Sequence, residues 1–335
     1  MNQGWIYREK VKTKDAGQTI LDYYTKKYRH SSRDRWQTRI ESGRVLLNSA
    51  VATTETILRS GESLEYHRQP WIEPQVPLKF EILYEDSDLL VVNKPSGLPV
   101  IAGGGFLEHT LLYQLKKHYP QDTPTPIHRL GRGTSGILLL GRSPLAKSSL
   151  AAQIRRSTIG QNKSHLNKVY RVLVQGNVKC ETARCGCSTR CSDCRGCDRL
   201  TIKQPIGKIP HPRLGYIYGA TDKGKHAHSE SRVVRRCDDY TLLEVTIFTG
   251  RPHQIRIHMA SIGHPLLGDP LYIAGGTFAP ISARQKTIPV PGDCGYFLHA
   301  YRLSFLHPQT DKQLVFECPV PDNWAIKSIT GNCCE

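Results

Sequence analysis

Polar residues crowd into HRLGRGTSG (128–136), immediately ahead of the apolar run ILLLG: His128, Arg129, Arg132 and Thr134 fall within seven positions. Lys168 and Tyr170 stand together in NKVYRVLVQG, and Arg251, His253, Arg256 and His258 follow the apolar run TLLEVTIF in TGRPHQIRIH (249–258). All three clusters sit where a strand-like run meets a loop, a common layout for an active site. Arginine beside a tight glycine turn suits phosphate or carboxylate recognition; the duller reading of Arg129 and Arg251 is that they hold surface carboxylates. A strand tyrosine, by position alone, is a core residue with its hydroxyl bonded. His253 and His258 are five apart, not the four that would set both on one helical face, which argues against a zinc site of the HEXXH kind. Gly131 is the odd member. Chemistry-bearing groups surround it, yet glycine supplies neither nucleophile nor base. With Gly133 it leaves a loop permissive enough for close approach by a ligand or another side chain.

The elements that must carry these clusters follow from periodicity. FEILYEDSDLLVVNKPSGLPV alternates strands with a turn, and its buried-strand candidate Leu89 to Val92 runs out at Asn93, Lys94 and Pro95. After ILLLG, Ser143 can cap a helix with Pro144 in its first position and Ala146, Leu150 and Ile154 on one face. NKVYRVLVQG alternates as a strand, with Tyr170 sharing a face with Val172 and Val174. Pro252 can start a helix with Ile255, Met259 and Ile262 on one face and Gly263 at its end. YFLHAYRLSF and QLVFECP add two late strands, giving an α+β pattern rich in strands. Before all this, residues 1–70 form a small basic module. Ile20, Leu21, Tyr24 and Tyr28 recur at near-helical spacing, Ser32 caps a second helix running to Gly43, and RVLLN, VATTETIL and SLEYH read as short strands. Its helices carry Lys26, Lys27, Arg29, Arg33, Arg35 and Arg39, which suits a phosphate-facing surface as well as it suits a solvated face. Residues 71–79, with their prolines, read as a linker.

The chain has 335 residues and a formal net charge of +17 spread along its length, so its field draws polyanions, nucleic acid first among them. The duller reading is that the charge serves solubility. No apolar stretch is long enough to cross a bilayer, and the N-terminus lacks the apolar core of a secretory signal, so a cytoplasmic or nuclear location is expected, with an organelle left open. GlyGlyGly at 103–105 lacks the Gly-Lys-Ser/Thr of a phosphate loop. Six of eleven cysteines fall in KCETARCGCSTRCSDCRGC; the spacing includes two C-x2-C steps, but lacks the two separated pairs of a zinc ribbon. It reads as an insertion of reduced thiols over 179–198, and no metal is expected.

Taken in order, EDSDLLVVNKPSGLPV, HRLGRGTSGILLL, NKVYRVLVQG, TGRPHQIRIHMASIGHPLLGD and FLHAYRLSF resemble the RluA-like family of RNA pseudouridine synthases over roughly residues 80 to 320. RIESGRVLLN and GESLEY make the N-terminal module similar to an S4 RNA-binding domain. The resemblance implies an α+β fold: a mixed, mainly antiparallel sheet in a catalytic domain over 80–325, with a small α/β S4-like module before it. It implies isomerisation of uridine within RNA (tRNA or rRNA) by a monomer, with no cofactor and no membrane. In the family an aspartate follows the HRL triplet; here that position is Gly131. Tyr170 corresponds to the tyrosine beside the uracil, Arg251 to the arginine that pairs with the aspartate, and Arg129 to a residue that holds splayed-out RNA. The implied RNA-facing set is Lys94, His128, Arg129, Arg132, Thr134, His253 and Arg256, with Arg33, Arg35 and Arg39 on the module. Three readings of Gly131 stay open: a carboxylate from elsewhere (Asp86, Asp88, Asp122 or Asp269) enters the site, the chain is a silent RNA-binding relative or RNA chaperone, or water or an RNA group serves instead.

Overall fold

The computed structural model describes residues 1–158, 166–179, 198–278 and 288–324; the cysteine cluster lies outside these residues. The described residues form two compact units, one of 1–74 with 210–216 and one of the remainder.

In the first unit, β1 (Trp5–Lys10) precedes α1 (Ile20–Lys27) and α2 (Arg33–Glu41), then β2 (Val45–Leu47), β3 (Ala50–Val51) and β4 (Ser63–Arg68), in a sheet ordered β1-β4-β2-β3. Both helices start where a hydroxyl can take an orphan N–H: Thr19 accepts from Asp22 N and Ser32 from Arg35 N. Ile20, Tyr24, Trp36, Ile40, Val45 and Leu64 close the core between helices and sheet. VATTETIL is strand only at its start, because Thr53 N donates to Thr56 Oγ1 at 3.0 Å and turns the chain. The proline-rich stretch is not free throughout either. Asn2 Nδ2 donates to Glu73 Oε1 at 2.7 Å and Trp71 N donates to Asn2 Oδ1 at 3.0 Å, which builds 71–73 into the unit.

The second unit runs β5 (Glu81–Glu85), β6 (Leu89–Lys94), α3 (Leu111–His118), β7 (Thr125–Pro126), β8 (Ser135–Gly141), α4 (Pro144–Thr158), β9 (Asn167–Gln175), β10 (Arg199–Ile202), β11 (Ile206–His211), β12 (Gly215–Ala220), β13 (Ser229–Arg236), β14 (Tyr240–Ile247), α5 (Gln254–Ser261), β15 (Tyr272–Ile273), β16 (Thr277–Phe278), β17 (Leu298–Leu306) and β18 (Gln313–Glu317). Its large sheet is ordered β10-β13-β14-β9-β17-β8-β6-β5, with β18 beside β17 and β7 beside β8. Pairing is antiparallel except between β8 and β17, where His299 meets Ser135 and Ala300 meets Gly136. This is the mixed, mainly antiparallel α+β architecture. β8 is buried at every position, which explains why ILLLG reads as one apolar run, while β13 alternates buried and exposed. Leu90, Val92, Leu138, Leu140, Val172 and Val245 belong to the core that these strands share with α3 and α4.

Helix α5 departs from the amphipathic expectation. It starts at Gln254, not Pro252, because His253 holds a left-handed φ of 54° and Gln254 Oε1 takes the Arg251 N–H at 3.0 Å. Every residue from Gln254 to Ala260 is buried, so the polar ones must find partners inside.

Candidate active site

A cleft of about 550 Å³ opens beside the sheet. The 128–134 loop ahead of β8, the first half of β9, the end of β14 with the 250–254 turn, and Tyr296 and Leu298 at the entry to β17 line it. The three polar clusters of the sequence therefore meet at one place: His128, Arg129, Gly131, Arg132, Thr134, Lys168, Tyr170, Arg251, His253 and Arg256 all belong to its wall.

Strand β9 supplies the floor. Lys168 and Tyr170 are two apart and so share a face, and Tyr170 is held in register between Val245 of β14 and Ala300 of β17. Both side chains are about nine-tenths buried, and neither makes a hydrogen bond to a described residue. Burial pushes the Tyr170 hydroxyl up to about 12 and the Lys168 ammonium down to about 8. His128 accepts a hydrogen bond at Nε2 from Leu139 N (3.3 Å); burial, helped by the charge of Lys168, lowers it to about 3, so it is neutral and belongs to the scaffold of β8.

Several expected RNA contacts prove to be internal braces. Lys94 is fully buried, its Nζ donating to the carbonyls of Pro95 (2.9 Å), Leu98 (2.8 Å) and Arg132 (3.2 Å); burial lowers it to about 7. It is a clasp behind the 131–133 loop, not a surface cation. Arg256 is likewise enclosed, with Nε and Nη2 each 2.7 Å from the two oxygens of Asp269 and Nη1 on Pro291 O. His253 is tied through Nδ1 to the Tyr272 hydroxyl at 2.8 Å and lowered to about 4 by burial and by Arg256. Arg132 donates from Nε to Gly292 O at 2.8 Å and packs over Phe106. Thr134 is buried, its Oγ1 3.4 Å from the Tyr296 hydroxyl. Arg129 is exposed at the mouth without a carboxylate partner. Arg251 donates from Nε to His226 O and has no acidic partner. On the first unit, Arg33 pairs with Asp22, Arg35 is exposed, and Arg39 stacks on Trp36 and donates to Ser31 Oγ.

No carboxylate of the described residues lines the cleft. The four candidates to replace a side chain at 131 are all committed elsewhere. Asp86 accepts from Asp88 N, Leu89 N and Tyr84 Oη, Asp88 accepts from Ser143, Asp122 pairs with Arg142, and Asp269 is held by Arg256 and the N–H groups of Leu271 and Tyr272. Gly131 and Gly133 have ordinary negative φ. What glycine leaves there is space for Tyr296: a Cβ on Gly131 would stand 2.8 Å from Tyr296 Oη, and one on Gly133 would stand 2.9 Å from Tyr296 Cζ, so either would displace the ring. Two contributors were missed in the sequence. Tyr296 gives no local signal, since it precedes a strand 162 residues after Thr134. Gln254 looks like a helix residue, yet its amide bonds Thr249, Arg251, His228 and Ser229 and so fixes the 249–254 turn.

Residues 88–261 match the family model described as RNA pseudouridylate synthase. An uncharacterised RNA pseudouridine synthase of Synechocystis sp. is 44% identical, over 90% of this chain and 94% of the relative. RNA pseudouridine synthase 5 of Oryza sativa subsp. japonica is 38% identical over 96% of this chain and 88% of its own length. Ribosomal large subunit pseudouridine synthase D of Nitrosomonas europaea is 34% identical over 88% and 78%. Among solved structures, human RNA pseudouridylate synthase domain containing 1 has the same fold at a TM-score of 0.50 and 23% identity, covering 75% of this chain and 87% of the human one. The fold, the meeting of the three motif clusters and the identity along nearly the whole length agree: this chain belongs to the RNA pseudouridine synthase family of isomerases.

Proposed function

We propose that this chain converts uridine to pseudouridine within folded RNA, and that it does so in a cleft whose charge is entirely cationic. The observation that carries this reading is the wall of Lys168, Arg129 and Arg251 around Tyr170, none of them with an acidic partner among the described residues. The uridine must first leave its stack, which costs a few kcal/mol, and Tyr170 offers its ring to the extruded base while Arg129 and Arg251 hold the backbone. When the glycosidic bond breaks, the electron pair stays with the uracil, which becomes an anion. Cations lining the cleft stabilise that charge more as it develops than they stabilise the neutral base before it. The third named relative is a ribosomal large subunit enzyme, which supports ribosomal RNA as the substrate class. The first unit reads as S4-like, and Arg33, Arg35 and Arg39 on α2 would add sequence-independent phosphate contacts with a steep salt dependence.

Tritium release from RNA labelled at uridine C5 tests the reading. RNA retained on the protein with no release would instead establish a silent RNA-binding relative.

A pH profile probes the cationic wall. Burial lowers the Lys168 ammonium to about 8, so its charge is present below that pH and lost above it. Release is expected to fall as pH rises through about 8. Lys168→Met should lower release about 100-fold at pH 7, the usual scale for one electrostatic donor, and remove the limb. Lys168→Arg should keep the charge and carry activity past pH 9. A limb that survives in Lys168→Met would assign it to another group.

A further inference from the structure

Among the described cleft residues, Tyr296 comes nearest to where a side chain at 131 would begin. We propose that its hydroxyl is a catalytic group, standing at the residue-131 side of the cleft and exchanging a proton with the uracil as it leaves the ribose and rejoins it. The inference rests on the isomerase reading above and adds a group to it.

Three observations support the assignment. The phenol fills the space that a 131 side chain would need: its Oη lies 2.8 Å from where a Gly131 Cβ would be. Its ring also excludes a Cβ at 133, with Cζ at 2.9 Å and Cε1 at 3.0 Å, so two glycines of HRLGRGTSG and one distant tyrosine form a matched set. The ring packs 4.2 Å from the Arg256 guanidinium, which the bidentate bond to Asp269 holds in place. The hydroxyl itself is lightly committed, since the bond to Thr134 Oγ1 is long at 3.4 Å.

The chemistry balances without any other reactant. Burial raises the phenol's pKa, against the pull of Arg256, so at neutral pH it carries its proton. As the C1′–N1 bond breaks, the pair passes to uracil and O2 takes the Tyr296 proton, leaving a phenolate beside Arg256. The uracil turns and its C5 bonds C1′. The phenolate then removes the C5 proton; the C–H pair restores the C5–C6 double bond, and the proton on O2 moves to N1. The net change is a C–N bond exchanged for a C–C bond, with the C5 hydrogen passed to a hydroxyl that exchanges with water.

The test compares unmodified protein, Tyr296→Phe, Gly131→Ala and the double variant for tritium release and for RNA retention at fixed salt. Tyr296→Phe is expected to lose about 100-fold or more in release, as general acid–base groups do, with retention unchanged. Gly131→Ala pushes the hydroxyl aside and should also lower release, but should add nothing in the Tyr296→Phe background, where its Cβ meets only Thr134 Oγ1 at 3.4 Å. Release by Tyr296→Phe within threefold of the unmodified protein overturns the assignment alone and leaves the isomerase reading standing. Retention lost in step with release also overturns it, by showing a structural role. Silence of the unmodified protein defeats the isomerase reading itself, and this inference with it.

Discussion

Asp269→Asn is expected to lower the unfolding free energy by about 3–5 kcal/mol, the cost of stranding a buried charge. Asp269 is fully buried and Arg256 is 2% exposed, so water cannot replace the lost anion. The geometry worsens the exchange. Asp269 Oδ1 accepts from Leu271 N, Tyr272 N and Arg256 Nη2, and Oδ2 accepts from Arg256 Nε. An amide nitrogen placed at either position turns a donor against donors. Urea denaturation with both proteins at pH 7 reads the difference as a fall in midpoint at unchanged slope. A loss below about 1 kcal/mol would mean that the pair is hydrated or replaceable, and that the ring of Tyr296 is not anchored through it.

Gly136→Ala should cost more than the fold can spare, above about 4–5 kcal/mol. Gly136 has a φ of +100° and lies where β8 runs beside β17; an added Cβ would meet Ala300 O at 2.3 Å, N at 2.8 Å and C at 2.9 Å. Those are backbone atoms of a central strand paired on its other side with β9, so nothing nearby can yield. The expected result is failure to accumulate soluble protein. Gly105→Ala is the control: it shares a positive φ of 96° but has open space around it, and it should fold. A soluble Gly136→Ala protein with an unchanged midpoint would refute the close crossing.

The contrast among the motif's glycines shows what the sequence could and could not disclose. Strand and helix positions were readable wherever one period ran uninterrupted, as in ILLLG, NKVYRVLVQG and the Ser143–Pro144 start of α4, because local sterics and burial agree there. The meeting of three clusters in one cleft was legible only as a pattern of polar groups at strand ends. The division of those groups into braces and free cations was not, since Lys94 and Arg256 look like surface cations until the fold wraps carbonyls and Asp269 around them. The partner of Gly131 was illegible for a simpler reason: Tyr296 reaches it through tertiary packing alone.

The parallel pairing of β8 with β17, the one parallel contact among the described strand pairs of the large sheet, also sets a clock on biosynthesis. Ser135 Oγ meets His299 Nδ1 across 164 residues, so the start of β8 waits on one edge until β17 has been made, while the far end of that edge is covered earlier by β7 at Leu140 and Gly141. At roughly 5–20 residues per second, that wait is on the order of ten seconds or more. During it the Ser135–Gly136 end of a strand that carries the apolar run ILLLG lacks its β17 partner, and an open edge is the kind that recruits other nascent chains. The cleft, lined by Tyr296 on one side and by Gly131 and Arg132 on the other, is thus completed only once the chain around β17 has been made, and a truncated chain lacking β17 is expected to lose that wall and to leave this end of β8 open.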